Sequence, residues 1–277
     1  MPIEAALSEV AQPSAQVALF VFAHQDDEFG VFPWIEREVR RGAAVVCVYL
    51  TDGGLGGQDV SVRNQESLRV LADLGVSSSS VLFAGGAGGI PDGALLTHLN
   101  AAWSCLLRAL EGRQLGRMYL PAWEGGHQDH DAAHLLGVRL AQLHGVLSEA
   151  RQYSLYNGGG LAGPLFRVLS PLAENGQTED LHLCLRERLR YLTWMLRYPS
   201  QWKSWLGLFG PVALKLLCDG RYRLQPVLAE RINRRPHSGR LLYERRTSLS
   251  FDEFSRQTMD FRSRFAEANE DELRAGS

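Results

Sequence analysis

Cysteine is scarce in this 277-residue sequence: Cys47, Cys105, Cys184 and Cys218 are the only four, and no two form a C-x-x-C pair. That scatter argues against a disulfide framework or a thiolate metal site and leaves small buried hydrophobes in a reducing compartment. Charge of one sign is also missing. Lys and Arg number 29 against 31 Asp and Glu, so the basic excess of a nucleic-acid binder is absent. No apolar run reaches the roughly 18 residues of a membrane span. The nearest, Trp205 to Leu217, holds two glycines, a proline and Lys215, and reads as a buried helix or hairpin. Residues 1–16 carry acids and prolines, without the basic head and apolar stretch of a secretory leader, so a cytoplasmic protein is expected. Gly53-Gly54-Leu55-Gly56-Gly57 lacks both G-x-G-x-x-G spacing and a Walker lysine; it reads as a flexible loop beside a pocket rather than a phosphate cradle.

What is present is an alternation of apolar runs and amphipathic stretches, with 45% hydrophobic residues to build a core. Strands are predicted at Val17–Ala23, Ala44–Leu50, Val81–Ala84 and Arg117–Ala122. Helices are predicted at Trp34–Arg41, from Val62 to a closing Gly75, at Thr97–Leu110 and at Asp129–Leu143. Strand–helix alternation at this spacing implies an α/β fold with a mostly parallel sheet and right-handed crossovers. The early strands are apolar without alternation, as strands covered on both faces are. Beyond a boundary near 165–180 the character changes. Residues 180–218 are helical and rich in Arg and Trp, with breaks expected at Pro199 and Gly210-Pro211, and a last helix is expected at Phe251–Ala266. The expected division is an α/β part, 1–170, and a smaller C-terminal α+β extension, 171–277, packed on the same body.

Three polar clusters each follow a predicted strand directly: His24-Gln25-Asp26-Asp27-Glu28, Thr51-Asp52-Gly53-Gly54 and Glu124-Gly125-Gly126-His127-Gln128-Asp129-His130. In parallel sheets ligands bind beyond the carboxyl ends of the strands, so the clusters should meet on one rim. Three carboxylates within five residues repel one another unless a cation or arginines are close; a divalent metal resolves the conflict, and imidazole plus carboxylate suits zinc. The H-x-x-D spacing turns His24 and Asp27 to one side and leaves Asp26 for proton chemistry. His127 or His130 can complete a three-ligand site that leaves a position open for water. A solvated acidic turn or a core histidine would explain either cluster alone; both on one rim favour a site.

The strand followed by Ala23–Glu28 (A-H-x-D-D-E), the Thr51–Gly54 turn and the later His127–His130 (H-x-D-H) resemble the LmbE/PIG-L family of zinc-dependent deacetylases over roughly the first 160 residues. Arg63, Glu66 and Leu74-Gly75-Val76 fit the same pattern. The resemblance implies a Rossmann-like three-layer sandwich with His24, Asp27 and His130 as metal ligands. Zinc is the implied ion, with another divalent metal such as Fe2+ as the alternative. Asp26 becomes the general base, His127 the group that stabilises the oxyanion or protonates the leaving amine, and Asp129 the residue that orients and tunes His127. The implied reaction is removal of acetate from a small N-acetylated sugar-type substrate. Gln25 stands where the family usually has Pro, which leaves the ligand spacing intact. Some members carry a tyrosine shortly before the second motif; Gly125 and Gly126 stand there instead, so a gating tyrosine must come from elsewhere.

Several neighbours have two readings. Arg63 would contact substrate or pair with Glu66, and Asp92 would bind sugar hydroxyls or make a Pro-Asp-Gly turn. Glu28 and Asp52 would support metal ligands or serve only local turns. His134, one helical turn after His130, is an ordinary helical histidine before it is a ligand. Tyr198–Trp202 suits sugar recognition or core packing, and the arginines of 186–197 suit a substrate anion or, better, a solvated face. Rival functions are an amidase acting on a thiol conjugate or other non-acetyl amide, and a silent metal- or sugar-binding protein. Oligomeric state is not legible.

Overall fold

The computed structural model describes residues 16–57 and 59–264. The stretch read against a secretory leader lies outside them up to residue 15, as does the end of the helix expected to reach Ala266. In chain order the elements are β1 (Val17–Phe22), α1 (Phe32–Arg40), β2 (Ala44–Tyr49), α2 (Val60–Asp73), β3 (Val81–Leu82), α3 (Ala84–Ala87), α4 (Leu99–Ala109), β4 (Leu115–Pro121) and α5 (Gln128–Leu143). There follow β5 (Ala150–Tyr153), β6 (Tyr156–Asn157), β7 (Arg167–Val168), β8 (Glu179–His182), α6 (Leu185–Met195), α7 (Trp202–Cys218), β9 (Arg221–Pro226), α8 (Leu242–Arg246) and α9 (Phe251–Gln257).

Seven strands form one sheet in the order β3-β2-β1-β4-β5-β9-β8, and β6 and β7 make a separate two-stranded ribbon. The first five strands of the sheet run parallel, while β9 pairs antiparallel with both β5 and β8. β1 shows why the fold has three layers. All six of its residues are buried. Ala18, Phe20 and Phe22 pack on one face with apolar residues of α1, α2, α6 and α7; Val17, Leu19 and Val21 pack on the other with those of α4 and α5. Alternate side chains of one apolar run thus feed two separate cores.

After β1 the chain moves outward to β2 and β3, then returns to place β4 on the opposite side of β1. This reversal is a topological switch point, where loops leaving the strand ends diverge and open a crevice. The predicted α/β architecture is the observed one. The C-terminal residues do not form a sheet of their own, however: β8 and β9 extend the main sheet.

Two local expectations change. Gly210-Pro211 does not break a helix; α7 runs through Pro211. The proline removes one N–H and displaces the carbonyl four residues earlier, that of Gly207, which lies on the exposed side where water can satisfy it. Nor is α7 buried all round: Trp205, Val212 and Leu216 are, but Leu206 is 82% exposed.

His134 settles as a core residue. Its Nδ1 lies 2.8 Å from the Pro121 carbonyl and its ring packs beside Trp123. Burial lowers its pKa to about 4. The unfolded chain, with an ordinary histidine pKa, therefore binds more protons between about pH 6.5 and 4, and stability falls as pH drops through that window, by an amount on the order of 3 kcal/mol. Denaturant melts of the wild type and of His134→Gln across this range check it. The variant should lose distinctly less stability on acidification; parallel curves would contradict the assignment.

Candidate active site at the switch point

His24 to Glu28 leave β1, and His127 to His130 lie where the loop after β4 enters α5. The two loops bring the predicted ligands together. His24, Asp27 and His130 are all buried, and one ligand atom from each lies within 4.8 Å of the others. The Nε2 of His130 is 3.1 Å from Asp27 Oδ1. Asp27 Oδ2 accepts the backbone N–H groups of Ala23 and His24, at 3.0 and 2.8 Å, which fixes the carboxylate against its own turn. A second, more open trio, His24, Asp92 and His127, meets the same distance criterion and shares His24.

The donor chemistry fits a divalent cation. Carboxylates of Asp26, Asp27, Asp92 and Asp129 surround the three imidazoles, and Arg63 is the buried guanidinium among them. Burial opposes a charge on His24, but Asp92, Asp129 and Asp27 outweigh it and hold its pKa well above the usual histidine value. The cluster thus favours positive charge at this point. The buried Nδ1 of His130 has no partner among the described residues, so the orienting contact that a ligating histidine usually receives is not supplied by them.

Asp26 is held in an unusual conformation, with φ 111°, a region costly for a residue with a Cβ. Glu28 supplies the restraint. Fully buried, it accepts the Asp26 N–H at 2.7 Å through one oxygen and the Tyr49 hydroxyl through the other. It therefore supports Asp26 rather than a ligand. Arg63 donates to the Gln25 carbonyl at 2.6 Å and lies 3.7 Å from Asp26 Oδ1. Burial pushes the Asp26 carboxyl well above the usual carboxylate range, Arg63 opposes that, and Asp27 and Glu28 add to it.

Arg63 does not pair with Glu66. It is clamped against the Gly53 carbonyl and Asp92, 3.2 Å away, while Glu66 accepts from Ser200. Asp92 also contacts His24 Nε2 at 3.2 Å, and both Arg63 and Asp92 face the cavity. Asp52 ties two loops together, accepting the N–H of Gly54 at 2.8 Å and of Asp92 at 2.9 Å. Gln25 fills the space over Gly53, where a Cβ would fall 2.0 Å from its amide oxygen. The glutamine thus brackets the glycine-rich loop in a way proline could not.

Asp129 departs from its expected place. Its carboxylate accepts the N–H groups of Gly93 and Leu95, at 2.7 and 3.1 Å, and lies 3.1 Å from His24 Nε2, not on the ring of His127. What touches His127 is the Asp129 backbone, whose N–H donates to Nδ1 at 3.2 Å. Nδ1 is therefore the acceptor and the proton of the neutral ring sits on Nε2. Burial and the nearby His24 lower the His127 pKa to about 4, which keeps that ring neutral at pH 7.

The cavity over these groups has a volume of about 600 Å3, a common size for a small-molecule site. Its outer wall comes from residues no sequence motif marked. Tyr156 stands edge-on to His130 at 5.5 Å between centroids, Lys203 comes from α7, and Arg246 reaches over the ring of Phe166. Tyr156 is held by Glu124, which accepts its N–H at 2.9 Å, and its carbonyl sits where a Cβ on Gly126 would fall. Tyr198 and Trp205 are core residues, and of the Tyr198–Trp202 segment Gln201 lines the cavity. None of the arginines at 186–197 lines it; Arg190 pairs with Glu36 and Arg197 with Asp73.

Residues 19–141 match the family model described as PIG-L: GlcNAc-PI de-N-acetylase. No curated protein matches the sequence. Among solved structures, the zinc-inhibited form of teicoplanin deacetylase Orf2 is 13% identical with a TM-score of 0.56, covering 77% of this chain and 98% of that one. The conserved protein TT1542 from Thermus thermophilus is 20% identical, with a TM-score of 0.54 and coverage of 76% and 96%. N,N'-diacetylchitobiose deacetylase from Pyrococcus horikoshii, in complex with the inhibitor MPG, is 17% identical, with a TM-score of 0.51 and coverage of 76% and 84%. At such identities the likeness is one of fold, and it extends well past residues 19–141.

The Glu28 clamp on Asp26 is testable. Glu28→Ala leaves the Asp26 N–H and the Tyr49 hydroxyl without their acceptor, which costs about 1–3 kcal/mol. Urea unfolding should show that loss; stability equal to wild type would contradict the clamp.

Proposed function

We propose that this protein is a metal-dependent amide hydrolase that removes the acetyl group from an N-acetylated amino sugar or glycoside, releasing acetate. The observation that carries the reading is the convergence of His24, Asp27 and His130 beside Asp26 and His127 at the switch point of a PIG-L domain. Further support is the cavity of sugar-accommodating size and the printed descriptions of structural neighbours as deacetylases.

His24, Asp27 and His130 would hold the metal, and zinc suits two imidazoles and one carboxylate. When bound, such an ion polarises the amide carbonyl and lowers the pKa of an attacking water. Asp26, at the cavity wall with a raised pKa, accepts the proton of that water as its oxygen adds to the acetyl carbon. His127 donates from Nε2 to the oxygen that becomes negative, a contribution of about 2.7–4 kcal/mol for a single donor. Its fixed tautomer and low pKa make it a neutral donor rather than an acid. Asp26 therefore also returns the proton to the leaving amine as the carbon–nitrogen bond breaks. The N-terminus of α5, with His127 as its capping residue, points partial positive charge toward the same place. Asp129 acts by holding His24 and the Gly93 loop, and Arg63 and Asp92 bind substrate hydroxyls or orient Asp26. A non-acetyl amide would use the same residues, so the acyl group is decided by assay.

The test is acetate release from a panel of N-acetylated amino sugars. Asp26→Asn should lower kcat by about 10²–10⁴-fold while the metal content stays at one per chain. Chelation should abolish activity and zinc should restore it. Activity unaffected by Asp26→Asn would overturn the mechanism, and a chelator-resistant wild type would overturn the metal dependence.

A further inference from the structure

Seven of the thirteen large apolar side chains that stand exposed among the described residues lie between Leu185 and Leu217. On α7, Trp202, Leu206, Leu214 and Leu217 recur at helical spacing along one side, and Leu206 and Leu214 are 82% and 66% exposed. Leu185, Leu189 and Leu196 are exposed on or beside α6, which packs against α7. Scattered surface leucines are ordinary, but a tract on two adjoining helices marks an interaction surface.

Charge selects the occupant. Residues 188–218 contain five cations, Arg188, Arg190, Arg197, Lys203 and Lys215, and no Asp or Glu. Arg190, Arg197 and Lys215 meet acids from outside this stretch, Glu36, Asp73 and Asp219, whereas Lys203 sits over the Trp202 ring at 5.8 Å. Arg188, which donates only to backbone carbonyls, and Lys203 keep their charge, and a second copy joined about a twofold axis would set those like charges against each other. An anionic lipid surface meets both needs, burying the leucines and the exposed tryptophan while its headgroups meet the cations. No helix among the described residues is long and apolar enough to cross a membrane, so α7 would lie along the surface.

We propose that the α6–α7 face docks peripherally on an anionic lipid bilayer. The same helix lines the cavity with Lys203, Ser204, Gly207 and Leu208, so docking brings the cavity mouth to the headgroup layer. This goes beyond the reaction proposed above and does not depend on it.

Flotation of the full chain with phosphatidylcholine vesicles, with and without about a third phosphatidylglycerol, tests the proposal. The wild type should float with the anionic vesicles, about tenfold less with pure phosphatidylcholine, and less as salt rises. The double variant Leu206→Asp/Leu214→Asp, altered only at exposed positions outside the cavity, should lose this binding about tenfold and keep the wild-type circular dichroism spectrum and acetate release. Brominated lipid should quench the fluorescence of Trp202 in the unaltered protein, a readout that needs no variant. The proposal is overturned if the wild type does not float, or if the double variant floats equally. Sedimentation showing a dimer that the double variant abolishes, without vesicle binding, would assign the face to a second copy instead.

Discussion

Crowding of buried and half-buried carboxylates around three imidazoles is the constraint from which the rest of this structure follows. Asp26, Asp27, Glu28, Asp92 and Asp129 come from loops after three different strands, yet they share one small volume with His24, His127 and His130. Uncompensated, they would repel and would each incur a desolvation cost. The chain meets part of that cost locally. Backbone N–H groups of Ala23 and His24 turn toward Asp27, those of Gly93 and Leu95 toward Asp129, and Arg63 spans Asp92 and the Gln25 carbonyl. The loops are therefore shaped as much by their carboxylates as by their glycines, and the remaining charge imbalance is the reason to expect a cation among these residues.

The same constraint separates roles among adjacent residues. Asp27 is saturated by backbone donors and imidazoles, and although burial opposes its ionisation, His130 and His24 hold its carboxyl well below the usual range. Asp26, one residue earlier, is twisted to positive φ by the grip of Glu28 on its N–H and driven the other way by burial. This contrast supports the proposed division, one carboxylate as a ligand and its neighbour as a proton acceptor. His127 and His130 diverge in a similar manner, because the first residue caps α5 and receives the Asp129 N–H on its ring.

Much of this is legible in the sequence because it depends on local rules. Val17–Phe22 reads as a doubly covered strand, and polar clusters that follow parallel strands must converge beyond the strand ends. What stays hidden depends on contacts between distant segments. β8 is a largely exposed edge strand, Glu179–His182, with no apolar alternation to reveal it. Tyr156 and Arg246 enter the cavity through the fold of the C-terminal half, and Glu124, which opens the third polar cluster, serves as the buried acceptor that fixes Tyr156. The family resemblance puts Asp129 on His127, whereas its carboxylate oxygens are satisfied by a loop 36 residues away at Gly93. The break expected at Pro211 does not occur because the proline sits on the exposed side of α7, where losing one hydrogen bond is tolerable.

The central claim is that His24, Asp27 and His130, rather than the neighbouring trio His24, Asp92 and His127, hold the metal. Anomalous diffraction at the zinc edge from crystals of the zinc-loaded protein tests it directly. The account predicts one strong peak at bonding distance from the side chains of His24, Asp27 and His130. A peak coordinated by Asp92 and His127 instead, or none at either trio, would contradict it.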